Sequence, residues 1–96
     1  MIKSFGNKLT EDLFNDRGKK TTKSFPDGLH RIARRKLLYL HEATDPQDLR
    51  APPGNRLERL KGELKGFYSL RVNDQWRLIF RFVGGQAYDV KIVDYH

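Results

Sequence analysis

The chain has no cysteine, which rules out both a disulfide framework and a thiolate metal site. No apolar run approaches the roughly 18 residues that a membrane span requires. Met1-Ile2-Lys3-Ser4-Phe5 lacks the apolar core of a signal peptide. These absences together predict a cytoplasmic protein with no membrane partner. Of the three histidines, His30 and His41 share a predicted helix but stand about three turns apart, too far to hold one ion, so no metal or other cofactor is expected. Internal repeats and low-complexity tracts are missing. Acidic residues are scarce beside basic ones: twelve Asp and Glu face nineteen Lys and Arg, giving a net charge of +7 and a pI near 9.9. That imbalance suits a polyanionic partner, most simply nucleic acid, or a habitual acidic protein partner.

Ninety-six residues fit one domain, 1–96, and 38% hydrophobic residues suffice for a modest core. Residues 1–5 read as a short opening strand. Asn7 is placed to cap a helix over residues 8–16, with Leu9, Leu13 and Phe14 inward and Gly18 ending it. A basic stretch, Arg17-Gly18-Lys19-Lys20-Thr21-Thr22-Lys23, has no apolar anchor and reads as a mobile loop. Either Ser24 or Asp27 would cap a second helix to about Ala43, whose stripe is Leu29, Ile32, Ala33, Leu37 and Leu40. Arg31, Arg34, Arg35 and Lys36 fall off the stripe, as a solvated face or as a grip on an acidic partner or phosphates.

From Thr44 to Gly66 the periodicity dissolves around Asp45-Pro46 and Pro52-Pro53-Gly54-Asn55. Leu49, Leu57 and Leu60 can pin this segment to a core, leaving Arg50, Arg56, Arg59, Lys61 and Lys65 as a basic binding loop. Lys61-Gly62 lacks the glycine-rich frame of a phosphate loop, so nucleotide binding is not indicated.

The last third predicts three antiparallel strands. Tyr68, Leu70 and Val72 alternate inward, as do Trp76, Leu78, Phe80 and Phe82, then Tyr88, Val90 and Ile92. The apolar faces agree only with odd turns, so Asn73-Asp74-Gln75 and Gly84-Gly85-Gln86 are expected as three-residue loops. Arg71 then faces Arg77, Arg77 faces Val93 near Tyr95, and Arg81 meets Asp89. Facing cations repel. Either the two guanidinium groups splay into water, or an anion between them relieves the repulsion. Beyond Val93 stand Asp94, Tyr95 and His96: a carboxylate, a phenol and an imidazole that a sheet would hold in place. They can move protons on an anionic substrate, or be no more than a strand finishing in polar residues. Helices on the apolar face of such a sheet make an α+β domain.

Leu60-Lys61-Gly62, Tyr68-Ser69-Leu70-Arg71-Val72, Asn73-Asp74-Gln75-Trp76-Arg77 and Ile92-Val93-Asp94-Tyr95-His96 closely resemble the HigB toxins of the RelE/ParE superfamily, which belong to bacterial type II toxin–antitoxin systems. Met1 to Phe5, Arg34-Arg35-Lys36-Leu37 and Pro52-Pro53-Gly54-Asn55-Arg56-Leu57 match one branch, so the likeness spans nearly the whole chain. It implies two N-terminal helices packed on a twisted antiparallel sheet. It also implies a ribosome-dependent messenger RNA endonuclease that enters the A site, where the RNA's 2′-hydroxyl attacks the adjacent phosphate. The implied partners are the ribosome and messenger RNA, and a HigA-type helix-turn-helix antitoxin through which alone operator DNA is bound. The resemblance puts Lys61, Arg77, Asp94, Tyr95 and His96 in the active site. Arg71, Arg56, Arg59 and Lys65 are the accompanying phosphate-binding candidates. Some relatives carry histidine where this chain has Glu58, so either Glu58 accepts the proton or the C-terminal groups do. Rival readings are a ParE-like gyrase inhibitor without chemistry and a non-enzymatic RNA-binding module. The acid–base triplet argues against the first, and inward-facing aromatics against the second.

Overall fold

The computed structural model describes residues 1–17 and 19–95, the side chain of Lys19 excepted. Asn7 caps α1 (Lys8–Asn15) as its position predicts, its side-chain oxygen accepting from the Thr10 N–H at 3.0 Å. The helix ends at Asp16, which adopts the left-handed conformation itself (φ 55°). Gly18, expected in that role, lies outside the described residues. Within the stretch expected as a loop, Lys19–Thr22 form a single helical turn, α2.

Neither Ser24 nor Asp27 caps the second long helix. Ser24 Oγ donates back to the Thr21 carbonyl at 3.2 Å, and a 3-10 turn over Asp27–Leu29 leads directly into α3 (His30–Glu42). Pro26 opens that turn, and its carbonyl accepts the Leu29 N–H at 3.0 Å, so the entry is closed by backbone bonds in place of a side chain. α3 buries Ala33, Leu37 and Leu40, while Ile32, expected on the stripe, is 37% exposed at its margin. Arg31, Arg34 and Arg35 face solvent, but Lys36 is half-buried.

Residues 44–66 are ordered around short pieces: 3-10 turns at Pro46–Arg50, Pro53–Asn55 and Gly62–Leu64, and a strand β1 (Glu58–Arg59). Leu49 is buried and Leu57 packs against the core as expected, whereas Leu60, expected to pin the segment with them, stays half-buried outside that core at a surface hollow. The sheet therefore has four strands where three were expected. β1 pairs with β2 (Tyr68–Arg71), β2 with β3 (Trp76–Val83) and β3 with β4 (Gln86–Asp94), all antiparallel. The opening segment runs parallel to β4 through bridges at Ile2–Ala87 and Phe5–Val90.

The Asn73-Asp74-Gln75 turn is as predicted: Asn73 Oδ1 takes the N–H groups of Gln75 and Trp76, and Arg71 stands opposite Arg77. The second turn has two residues, not three. Gly84 and Gly85 both take positive φ (56° and 79°), the geometry of a tight hairpin whose twist suits the flanking strands. An even turn would invert the faces, and a bulge between Ile79 and Arg81 restores parity, with Asp89 at φ 54°. Near the turn, Ala87 therefore points inward and Tyr88 lies opposite Arg81, the reverse of the predicted assignment for Tyr88. Beyond the bulge the register recovers, with Arg77 facing Val93.

Leu13, Phe25, Leu37, Leu40, Leu70, Leu78, Phe80, Val90 and Ile92 form one core between the helices and the sheet. Trp76 packs edge-on to Phe25 at 4.9 Å, a core role as expected. On the opposite face Ser69 and Ile79 are also closed to solvent. No helix among the described residues is long and apolar enough to cross a membrane.

Candidate active site

The alternation of β3 sends Arg77 to the face away from the core, between Arg71 on β2 and Val93 on β4. Its side chain lies low enough that Nε and Nη1 are buried, yet neither finds a hydrogen-bond partner among the described residues. Buried donors of a cation left without acceptors are unfavourable unless something else supplies them. The phenol ring of Tyr95 lies beside it, 5.4 Å from the guanidinium carbon.

Arg71 is better provided. Its Nη2 donates to Asp74 Oδ1 at 2.5 Å across the turn. That bond, then the charge of Arg71, and less strongly Arg56 and Arg77, hold the exposed Asp74 carboxyl below its ordinary value. The charges of three guanidinium groups thus act on one carboxylate, and Arg71 is the one bonded to it. A fourth cation reaches the group from the helical layer: Lys36 of α3 has its pKa lowered by burial first, and then by Arg35 and Arg71. The contrast is Arg81, whose Nε and Nη2 lie 2.8 and 2.7 Å from Asp89 Oδ2, a neutral pair at the other end of the sheet. The sequence-based pairing there is met even though the Cα partner is Tyr88.

The chain end is held as the strand pattern predicts. Asp94 lies opposite Trp76 and accepts from Gln75 Nε2 at 3.1 Å, and the Tyr95 N–H donates to the Gln75 carbonyl at 2.7 Å. Tyr95 is 40% exposed, so its hydroxyl-bearing ring is both fixed and open. His96 lies outside the described residues. Below Tyr95, Ile92 is clamped from α1: its N–H donates to Thr10 Oγ1 at 2.8 Å and its carbonyl accepts from Asn7 Nδ2 at 3.3 Å.

Arg71, Arg77, Asp94 and Tyr95 gather at one end of the sheet, and the charge of Arg56 acts on the Asp74 carboxyl there. The remaining candidates stand apart. Glu58 stands opposite Ser69, on the same face as Arg71 but one row away. Arg59 pairs with Tyr68 and lies over its ring at 5.7 Å, which turns it to the other face. Lys61 and Lys65 border a separate hollow of about 340 Å³ with Arg59 and Gly62, beyond the Arg59–Tyr68 pair. Three strand positions separate Tyr68 from Arg71, about 10 Å of rise. Sequence reasoning missed Lys36 and Asp74. Lys36 carried no signal beyond its place off the apolar stripe, and Asp74 read only as a turn residue. His30 and His41 serve packing: His30 Nε2 donates to the Phe25 carbonyl at 3.0 Å, and His41 Nδ1 accepts the Ile2 N–H at 3.2 Å. Among the described residues, no group of His, Asp or Glu side chains is arranged to hold a metal ion.

The cluster has the parts for phosphodiester chemistry: convergent cations for a phosphate, and a carboxylate and phenol at the same rim. Comparison with known proteins agrees. The family model described as RelE-like toxin of type II toxin-antitoxin system HigB matches residues 3–96. Toxin HigB-1 of Vibrio cholerae serotype O1 is 44% identical over 87 residues, spanning 91% of this chain and 90% of that protein. Endoribonuclease HigB of Proteus vulgaris is 36% identical over 97 residues, spanning 100% of each. Among solved structures, the YoeB–YefM complex from Staphylococcus aureus superposes with a TM-score of 0.63 at 16% identity, covering 100% of this chain and 98% of that one. YafQ from E. coli gives 0.60 at 20% identity, with 98% and 91% covered. At these identities the structural likeness speaks for the fold, an open antiparallel sheet with helices on one face, while the family model and the closer relatives speak for descent. The chain belongs to the HigB family of RelE-like toxins of type II toxin–antitoxin systems.

Proposed function

We propose that this toxin is an endoribonuclease that cuts messenger RNA in the ribosomal A site. The observation that carries the reading is the half-buried Arg77 between Arg71 and Tyr95, whose buried Nε and Nη1 have no hydrogen-bond acceptor among the described residues. A phosphate seated there supplies the missing acceptors. The RNA 2′-oxygen then bonds to the adjacent phosphorus and the bond to the 5′-oxygen breaks. The 2′-hydroxyl proton passes to a base and the leaving 5′-oxygen takes one from an acid. Arg77 and Arg71 oppose the charge that builds on the phosphorane, the usual task of preorganised cations. Asp94, Tyr95 and His96 divide the proton transfers, and Glu58, one row away, is the alternative acceptor. The products are a 2′,3′-cyclic phosphate and a 5′-hydroxyl. The relative from Proteus vulgaris, named an endoribonuclease, supports this chemistry.

Ribosome dependence follows from what in-line attack demands. The cluster lies on an open sheet face, and the ribosome can hold the codon in the orientation that attack requires. Lys61 and Lys65, in their separate hollow, then serve as contacts to nucleic acid flanking the scissile phosphate. A HigA-type antitoxin is the assigned partner, with operator DNA bound only through the complex, and the protein works in the cytoplasm. Its docking place is the cleft of about 1250 Å³ between α1 and α3, where Arg31, Arg34 and Arg35 border the apolar Leu13 and Leu38. One of the structural neighbours is itself a toxin–antitoxin complex.

The test adds purified protein to translating ribosomes and to the same transcript free in solution, and maps cuts by primer extension. Cleavage within ribosome-bound codons, with cyclic phosphate ends and almost none in free RNA, is expected. Equal cutting of both substrates removes the ribosome from the reading. An intact message removes the nuclease, and then inhibition of gyrase supercoiling is the assay that remains.

A further inference from the structure

We infer that Lys36 is a positioning residue of this site, holding the Pro53–Asn55 turn, and with it Arg56, against the phosphate-binding cluster. The inference rests on the nuclease reading for what the cluster does, but on independent geometry for how it is held.

Asn55 is completely buried, in a segment otherwise rich in exposed residues. Its amide is fully used. Nδ2 donates to the carbonyls of Leu49 and Ala51, both at 3.2 Å, and Oδ1 accepts from Lys36 Nζ. Two of these bonds lock the turn onto the preceding 3-10 piece, and the third ties it to α3. Asn55 is therefore a polar post, beside the apolar anchor Leu49, through which the helical layer grips the segment between Leu49 and Arg56.

The next residue is Arg56. It sits in the left-handed region (φ 46°, ψ 58°), with its N–H donating to the Pro53 carbonyl at 3.1 Å. A bulky side chain keeps such a conformation only when its surroundings impose it. The post at Asn55 is that imposition; the turn it holds lies against β2, and from there the charge of Arg56 acts on the Asp74 carboxyl beside Arg71.

The choice of a lysine for the donor is informative. A buried amide oxygen next to a helix could be satisfied by serine, glutamine or threonine at no electrostatic cost. Here the donor is a half-buried ammonium in the field of Arg35 and Arg71, so it repels its neighbours in the empty protein. The cost turns to a gain when a polyanion arrives, because the ammonium then adds to the field on the phosphate. The groups that face Lys36 are Arg35 on its own helix, Arg71 from β2, Asn55 from the turn, and the Tyr39 ring at 5.9 Å from Nζ. No carboxylate is among them.

Lys36→Met, Lys36→Gln and Lys36→Arg are compared by amide hydrogen exchange and by single-turnover cleavage at saturating toxin. Exchange at Asn55 and Arg56 is expected to rise in the order Arg, Gln, Met, with Leu78 and Phe80 unchanged. Cleavage is expected to fall in the same order, reaching about 10- to 100-fold for methionine, the upper figure being the cost of a misplacement of about 1 Å. Affinity for the ribosome should change less than the rate, and arginine should restore most of the loss. The loss in Lys36→Met combined with Arg56→Ala should be smaller than the product of the two single losses, because both act through one side chain. A flat series in both readouts, across whichever of the three variants fold, overturns the inference, as do fully multiplicative losses in the double variant. If the parent protein cuts nothing on ribosomes, the nuclease reading fails, and the exchange series still decides the post.

Discussion

Replacing Arg77 by alanine separates a chemical from a structural role for the same buried guanidinium. Truncation removes two partly buried methylenes, Cγ and Cδ, on the order of 1 kcal/mol at about 0.8 kcal/mol for each fully buried CH₂. It also removes the contact with the Tyr95 ring at 5.4 Å, worth about 0.5–1 kcal/mol at a partly exposed site. In the other direction, the buried and unpartnered Nε and Nη1 disappear, which returns roughly 1–3 kcal/mol of desolvation. The opposition with Arg71 across the strands also goes, about 0.2–1 kcal/mol more. These terms cancel to within about 1–2 kcal/mol, so the variant should fold, and each 1 kcal/mol moves the melting temperature by about 4–8 °C in a domain of this size. Activity is a different matter. Loss of one preorganised donor to a developing negative charge costs about 10²–10³-fold in rate. The assay is single-turnover cleavage of ribosome-bound message, with thermal melting on the same samples and Lys91→Ala as the comparison. Lys91 lies on the same face, opposite Ile79 and outside the cluster, and its loss should leave the rate within about threefold. A folded Arg77→Ala that cuts like the parent refutes the reasoning. So does a variant that melts far below the parent, because the offsetting terms would then have been misjudged.

Tyr95→Phe and deletion of His96 should each lower cleavage by about 10²–10⁴-fold if they share the proton transfers, while melting stays close to the parent; two folded variants with full activity would leave the triplet as an ordinary strand end. Arg34→Glu with Arg35→Glu should weaken capture of the antitoxin, measured by titration calorimetry, and leave single-turnover cleavage intact; a collapse of cleavage would move those arginines into the site. Asp74→Asn should flatten the acid limb of the stability profile. The carboxyl is held below its usual 3.8 by Arg71, so its contribution is present above that value and is lost as the pH falls through the lowered folded value. Urea melts between pH 5 and pH 2 check this, and an unchanged acid limb would show the pair to be idle.

The facing of Arg71 and Arg77 was legible because it follows from parity alone: apolar residues must share a face, and Asn73 announces an odd turn. Parity could not say where it would be satisfied. At the second hairpin two glycines make a tighter turn, and Asp89 absorbs the difference four positions later, so the sum was right and the local assignment of Tyr88 was not. β1 was invisible because two residues, both exposed, carry no alternation. The caps at Ser24 and Asp27 failed since Pro26 starts a 3-10 turn that satisfies the helix entry by backbone bonds. Lys36 was unreadable for a deeper reason. A helical stripe sorts residues into inward and outward, and all four cations of Arg31, Arg34, Arg35 and Lys36 fall outward. Only the path of residues 44–66, which no periodicity describes, decides that one of them meets Asn55.

The grip of Asn7 and Thr10 on Ile92 joins parts of the chain made at opposite ends of synthesis. β4 borders both β3 and the opening segment, and Tyr95 is placed by the strand that these contacts seat. A growing polypeptide can form α1, α3 and the β2–β3 hairpin while the slot for β4 stands empty, and in that state Arg77 lacks the phenol ring of Tyr95 beside it. On the proposed reading, chain order therefore delays the activity: the site stays incomplete until β4 has been drawn into the sheet.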